Sequence, residues 1–362
     1  MSNAAGLQYD CSRFLTPDGQ VLQPVPEFAQ DPAVLAALYR AMVLTRTFDT
    51  RAMALQRTGK LGTFASSLGQ EAIGVGVASA MLAEDVLLPY YRDHGAQLVR
   101  GVTMVEILLY WGGDERGSNF SMARRDFPLC VPIGTQVCHA LGVAYAMKQR
   151  REPRVAVCLL GDGATSKGDF YEGMNVAGIW QVPLLLLINN NQWAISVPRA
   201  TQSAARTLAQ KAVAAGIQGV QVDGNDVIAV RAATVNALNG LRAGGGPTLI
   251  EAVTYRLGDH TTADDATRYR AAEEVSRQWQ FEPIARLRNY LMRTGAWSTE
   301  REEHLLRECT EHVNQAIDAY RAAPPPAPEA MFDHLYAALP AALEPQRETA
   351  LHFAPPEGKR DG

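Results

Sequence analysis

The sequence predicts an α/β protein built on a mostly parallel, doubly wound sheet with helices on both faces. Two observations predict it. Short apolar runs at 154–160 (RVAVCLL), 182–189 (VPLLLLIN), 219–222 and 248–255 alternate with longer stretches of helical composition. The polar clusters Gly161-Asp162-Gly163 and Asn190-Asn191 fall where two of those runs end, and open α/β sheets bind ligands at the carboxyl ends of their strands. Runs with little polar alternation suit strands that are covered on both faces.

Element by element, residues 1–30 carry Pro17, Pro24 and Pro26 with little periodicity and predict an extended arm. From 31 to 55, Val34, Leu35, Leu38, Met42, Leu44 and Phe48 recur at helical spacing, with Asp31 as cap and Pro32 in the first turn. Further helices are expected over 70–81 and 102–111, and between the strands over 165–180, 206–215 and 227–241. After residue 270 the chain reads as helical up to 323. Pro324, Pro325, Pro326 and Pro328 then form a stiff connector, followed by a short helix over 331–339 and a polar tail. The expected organisation is an arm at 1–30, an α/β ligand-binding domain at 31–275 and a helical extension at 276–362.

Composition narrows the function. With 34 Lys+Arg against 38 Asp+Glu, the net charge of -4 offers no basic excess to displace counterions from nucleic acid. The apolar run at 182–188 is far shorter than the roughly 20 residues of a membrane span. The N-terminal residues lack the basic-then-apolar order of a secretory signal. Five cysteines, odd in number and without a CxxC pair, argue against a disulfide framework. Together these features predict a cytoplasmic protein that binds neither nucleic acid nor membrane.

The chemistry concentrates between 155 and 198. Asp162 and Asn191 are hard oxygen donors at the ends of neighbouring predicted strands. With one backbone carbonyl and phosphate oxygens they would complete the octahedral oxygen cage that Mg²⁺ prefers, so the implied ligand is a diphosphate bound through the metal. Glycines flanking Asp162 would let the backbone approach that ligand, and a helix starting just after Ala164 would turn free N–H groups toward the anion. Taken alone, a Gly-Asp-Gly string is an ordinary turn. The strand–helix–strand context and the downstream asparagines set this one apart.

The pairing of GDG with the later NN resembles the thiamin-diphosphate-binding motif. The longer string GDGATSKGDFYEGMN…NNNQWAISVP is similar to the alpha subunits of heterotetrameric 2-oxo acid dehydrogenase E1 components. Gly69-Gln70-Glu71-Ala72, Tyr91-Arg92-Asp93-His94-Gly95, Ala209-Gln210-Lys211-Ala212, Val222-Asp223-Gly224 and Tyr255-Arg256-Leu257-Gly258-Asp259-His260 extend the likeness over roughly residues 30–345. The resemblance implies Mg²⁺ ligation by Asp162, the Asn191 side chain and the Trp193 carbonyl, with the backbone of Gly163 and Ala164 at the diphosphate. It also implies that Tyr91 and Arg92 reach that diphosphate, a task for which the planar guanidinium fork is suited. Val131 and Ile133 match positions that line the bend of the cofactor.

His260 is the residue to which the resemblance gives a catalytic role, beside the diphosphate and the reacting centre. Its segment, GDHTTADDATRYR, is polar and reads as a loop. His139, His304, His312, His334 and His352 lack such context. His94 adjoins the YRDHG string, and its role is open. Three departures from the family stand out. Lys167 occupies a position usually Glu or Gln, Asn189 extends the asparagine pair to three, and Thr261-Thr262 follow His260 where animal homologues carry a regulatory serine. Gly74-Val75-Gly76 faintly resembles a dinucleotide fingerprint, but no strand precedes it, so these glycines are expected at a close helix contact.

A carboxylate is needed at the pyrimidine ring of the cofactor, and no residue of this chain suggests itself for it. The resemblance implies that a beta subunit supplies it in an α₂β₂ assembly, and that the acyl group passes to a lipoyl domain of an E2 acyltransferase. GQEA and AQKAVAAGIQGVQVDG look closer to the pyruvate dehydrogenase branch, whereas the His260 loop also resembles branched-chain enzymes. An NAD(P)-dependent oxidoreductase and a non-catalytic scaffold subunit are the readings from other classes.

Overall fold

The computed structural model describes residues 10–333 and 335–353. Residues 1–9 of the expected arm, His334 and the end of the tail lie outside the described residues. The chain divides into two compact units, Met1–Asp318 and Ala319–Gly362. In chain order the elements are α1 (Pro32–Arg57), α2 (Glu71–Ala78), β1 (Val86–Leu88), α3 (His94–Arg100), α4 (Met104–Trp111), α5 (Thr135–Gln149) and β2 (Ala156–Gly161). Next come α6 (Gly168–Trp180), β3 (Leu184–Asn190), the hairpin β4 (Trp193–Ala194) and β5 (Val197–Pro198), α7 (Arg199–Gln202), α8 (Lys211–Ala214), β6 (Gln218–Asp223), α9 (Val227–Arg242) and β7 (Thr248–Val253). Helices α10 (Ala272–Gln278), α11 (Pro283–Arg293), α12 (Thr299–Ala322), α13 (Ala330–Asp333) and α14 (Glu344–His352) follow.

The central sheet runs β1-β2-β3-β7-β6 and every pair in it is parallel. Alternate residues of each strand face opposite layers. Ala156, Cys158 and Leu160 of β2 and Leu184, Leu186 and Ile188 of β3 pack with Val137, Ala140 and Ala144 of α5 and Phe170, Met174 and Ala177 of α6. Val157, Leu159, Leu185 and Leu187 face Ile73 and Val77 of α2 and Val230, Leu238 and Leu241 of α9. Both faces are dry, which is why these strands show no polar alternation.

The predicted cap of α1 is present. The Asp31 side chain accepts from Ala33 N at 2.8 Å, and Pro32 occupies the first turn. α4 opens on a capping box between Thr103 and Glu106. The described part of the arm is extended only in part: it reverses between Leu15 and Val21 and ends in a 3₁₀ turn at Glu27–Gln30, while Ser12 bridges to Val222 of edge strand β6 and Asp226 accepts from Phe14 N and Leu15 N. After β7, Leu287 and Leu291 of α11 and Leu305 and Cys309 of α12 pack on α1 within the first unit.

Three local expectations are corrected, and four elements were not foreseen. No helix starts after Ala164: Asp162–Ser166 is a 3₁₀ turn, Lys167 is extended, and α6 begins at Gly168. The helix over 206–215 shrinks to α8, because the Gln210 side chain accepts from Arg206 N and supports a turn there instead. The helix over 331–339 is found only as α13 among the described residues, and Leu335 and Tyr336 beyond it are exposed, so they bury no apolar face to sustain a longer one. Finally, β1, α3, α5 and α14 carried no readable signal. β1 is only three residues long, and α5 contains Gly142 and lacks a clear apolar stripe. The glycines of the false dinucleotide string lie on buried α2. A Cβ at Gly74 would stand 2.9 Å from Ala96 N, and one at Gly76 would stand 2.8 Å from Val230 Cγ1, so they serve helix packing as expected. No helix among the described residues is long and apolar enough to cross a membrane.

Candidate active site

A cavity of about 520 Å³ opens at the carboxyl ends of β2 and β3. All ten residues singled out from the sequence line it. Tyr91 and Arg92 come from the segment after β1, and Val131 and Ile133 from the loop before α5. Asp162, Gly163 and Ala164 come from the turn after β2. Asn191 and Trp193 follow β3, and His260 sits on the loop after β7.

The run of three asparagines is sorted by its partners. Asn189, paired in register with Gly161, donates to Tyr90 Oη at 2.8 Å, and Asn190 donates to the buried Glu251 at 2.6 Å. Asn191 alone lines the cavity, held by a hydrogen bond from its Nδ2 to Gln70 Oε1 at 3.0 Å. Beyond it the chain reverses through Gln192 (φ 72°) and Ile195 (φ 54°), left-handed conformations that are uncommon for such residues. That reversal brings Trp193, Ala194 and Ile195 to the cavity wall.

Asp162 is 3% exposed, and burial pushes its carboxyl up to about 6. Gln202 Nε2 donates to it at 3.1 Å. Such a carboxyl is returned to its ionised form by a nearby cation. The described residues contain no cluster of three His, Cys, Asp or Glu side chains that would cage a metal. One carboxylate, one amide and backbone carbonyls instead fit a hard cation that shares its coordination with phosphate oxygens. The turn carrying Asp162 is pinned by Lys211, whose Nζ donates to Thr165 O at 2.7 Å and to Tyr171 Oη at 2.8 Å. Gly163 also answers a packing need: a Cβ there would lie 2.6 Å from Ala194 Cβ, so the glycine makes room for the Ala194 side chain of β4.

Positive charge gathers at His260, from Arg92 on the cavity wall and Arg256 behind it. Arg92, 3% exposed, and Arg256, 1% exposed, both approach His260 Nδ1 at 3.3 Å. Burial and these two guanidiniums lower the His260 pKa to about 4. The loop bearing His260 is tied down in this structure. His260 N donates to Asp264 at 2.9 Å, Arg256 donates to Tyr269 Oη at 2.8 Å, and Tyr269 Oη donates to Asp264.

Sequence reasoning left several residues of the site unassigned. Arg256 stands in the quoted YRLGDH string and Lys211 in AQKA, so both were within quoted motifs. Gln136 lines the cavity with its Nε2 bound to Leu159 O and its buried Oε1 without a partner, an acceptor left for a ligand. Trp111 and Tyr90 also line it and had no signal. His94 is settled as a core residue: it is fully buried, stacked on Phe64 at 4.8 Å, and accepts from Trp111 Nε1 at 3.1 Å. Lys167 turns to Asp169 at 3.5 Å and does not line the cavity. Glu71 pairs with Arg46. Asp162 is thus the one carboxylate among the described cavity residues.

Residues 39–329 match the family model described as dehydrogenase E1 component. The chain belongs to that family, as a 2-oxo acid dehydrogenase E1 alpha subunit. Relatives agree. A Mycobacterium tuberculosis protein named 3-methyl-2-oxobutanoate dehydrogenase subunit alpha is 44% identical over 311 residues, covering 86% of this chain and 85% of the relative. Pyruvate dehydrogenase E1 component subunits alpha from Bacillus cereus and Bacillus subtilis are 41% and 40% identical, covering 95% and 94% of this chain and 93% and 94% of the relatives. Membership makes the chain part of an enzyme, implies dependence on thiamin diphosphate and implies a beta-type partner subunit. The NAD(P) reading, which rested on the α/β sheet alone, gives way to this membership.

Proposed function

We propose that this subunit holds thiamin diphosphate through Mg²⁺ and takes part in the oxidative decarboxylation of pyruvate, with acetyl transfer to a lipoyl group of an E2 acyltransferase. In that reaction the 2-oxo acid loses CO₂, the lipoyl disulfide is reduced, and one of its sulfurs receives the acyl group. The cofactor supplies the electron sink for decarboxylation. Asp162, Asn191 Oδ1 and the Trp193 carbonyl would hold the metal, and the N–H groups of Gly163 and Ala164 would face the diphosphate. Arg92 would neutralise the phosphate charge, with Tyr91 beside it. Val131 and Ile133, at 49% and 39% exposed, present branched side chains at the cavity that a bent ligand would cover. His260, neutral beside two guanidiniums, would exchange hydrogen bonds with the reacting groups. The observation that carries this reading is the convergence of Asp162, Asn191 and Trp193 on the same cavity as Arg92 and His260.

The resemblance to E1 alpha subunits assigns the carboxylate required at the pyrimidine ring to the beta subunit of an α₂β₂ assembly, and a described wall whose one acid is Asp162 is consistent with that assignment. A second reading, a branched-chain 2-oxo acid as substrate, is favoured by the 44% identical relative and by the GDHTTADDATRYR loop. Cofactor binding is tested by calorimetry on the chain co-produced with its beta subunit, with and without Mg²⁺. Asp162→Ala and Asn191→Ala are expected to abolish Mg²⁺-dependent binding, and wild-type affinity in either variant refutes the ligand assignment. The ratio of kcat/KM for pyruvate to that for 3-methyl-2-oxobutanoate decides the substrate.

A further inference from the structure

Asp49, in the middle of α1, is completely buried, yet among the described residues no Lys or Arg pairs with it. The titratable side chain beside it is His94, whose Nδ1 stands 4.0 Å away. Trp111 Nε1 can only donate, so His94 Nε2 is an acceptor and the imidazole is neutral. A buried carboxylate without a cation is costly unless its lone pairs are satisfied. Here every hydrogen bond that satisfies them comes from one two-residue turn. Ser66 Oγ donates to Oδ2, while Ser67 N at 2.6 Å and Ser67 Oγ at 3.1 Å donate to Oδ1.

That turn directly follows Ala65, which lines the cavity. Its backbone also has a second task. The Ser66 carbonyl accepts from Arg92 Nη1, while Arg92 Nη2 faces His260. Arg92 Nε is buried without a partner, so the orientation of the guanidinium rests on Ser66 at one corner and His260 at the other. Asp49 itself does not line the cavity. A carboxylate anchoring a turn only to join α1 to the next segment would not need that turn to carry the hydrogen bond that aims Arg92.

We propose that Asp49 is a positioning residue: through the Ser66–Ser67 turn it fixes the Arg92 guanidinium against His260 and so sets how Arg92 meets the cofactor diphosphate. This rests on the functional reading above and adds a residue to which neither the sequence motifs nor the cavity wall points.

The test uses the complex with its beta subunit and Mg²⁺, and compares calorimetric Kd values for thiamin diphosphate and for thiamin, which lacks phosphate. Asp49→Asn is expected to raise the Kd for thiamin diphosphate by about tenfold, close to the loss of one charge-assisted hydrogen bond, and to leave thiamin binding unchanged. In an Arg92→Met background, Asp49→Asn is expected to cost nothing further, because the group it positions is gone. Ser66→Ala, which leaves Asp49 in place and removes one of its donors, should show a smaller loss of the same kind, and it carries the test if Asp49→Asn does not fold. Unchanged affinity for thiamin diphosphate in both variants, losses that add to that of Arg92→Met, or equal losses for thiamin overturn the positioning role. Absence of thiamin diphosphate binding by the wild type overturns the functional reading itself, and this inference with it.

Discussion

Arg92 grips His260 twice: its Nη2 lies 3.3 Å from Nδ1 and donates to the His260 carbonyl oxygen at 3.0 Å. Because a guanidinium only donates, Nδ1 must carry the lone pair, and the proton of the neutral ring is on Nε2. Arg256 makes the same demand on Nδ1 from the other side. The two arginines therefore select one tautomer and oppose the imidazolium.

The first prediction concerns this pair. Unfolded, the imidazole titrates at its ordinary 6.5; folded, burial and then the two guanidiniums hold it to about 4. Between those values the unfolded chain binds a proton that the folded chain refuses, so this group's contribution to stability declines as pH falls through that window and is intact above it. Histidine-selective NMR titration should show His260 neutral at pH 7 and charging only near pH 4. Arg92→Met or Arg256→Met should move the midpoint upward, toward 6.5. A midpoint already at 6.5 in the wild type would refute the electrostatic account.

Tyr269 is expected to lock the loop that bears His260, since its hydroxyl receives from Arg256 and donates to Asp264, which also holds His260 N. Tyr269→Phe removes both links and should weaken local closure by about 1–3 kcal/mol. Amide hydrogen exchange over 259–269 should accelerate accordingly, with exchange in β2 and β3 unchanged.

Gly163→Ala should be destabilising although alanine adds one carbon. The new Cβ would meet Ala194 Cβ at 2.6 Å, and overpacking of this kind costs about 1–3 kcal/mol. Adding Ala194→Gly should restore most of the loss in thermal unfolding. If Gly163 served only ligand approach, Gly163→Ala would leave the Tm of the ligand-free protein unaltered.

Metal removal gives the fourth. With one carboxylate at the site, the chain offers too few ligands to hold Mg²⁺ tightly without phosphate oxygens. EDTA is expected to abolish the rise in Tm produced by thiamin diphosphate and to leave the Tm of the ligand-free chain where it was. A fall in the latter would point to a structural metal.

The sheet and the ends of β2 and β3 were legible because burial on both faces forces continuous apolar runs, and ligand-binding residues must follow where those runs stop. Helix α1 was legible from its cap and spacing, α9 from helical composition, and α2 and α4 fall within stretches expected to be helical. By contrast, β1 was invisible because three residues cannot display a period. The start of α6 was misplaced because one extended residue, Lys167, separates it from the Asp162 turn.

By itself the sequence determined the parallel α/β architecture and the order of the motifs; Asp162, its glycine turn and Asn191 were readable from chemistry and spacing, and the remaining cavity residues from the resemblance of their strings to E1 alpha subunits. Only the tertiary structure decided that the three consecutive asparagines take separate partners, that His94 belongs to the core, and that Arg256 joins Arg92 at His260 from a different segment. Those outcomes depend on hydrogen-bond partners far apart in the chain: Asn189 finds Tyr90, Asn190 finds Glu251, and Asn191 finds Gln70. Strand register turns each to its partner, and register is a property of the packed sheet rather than of any one strand.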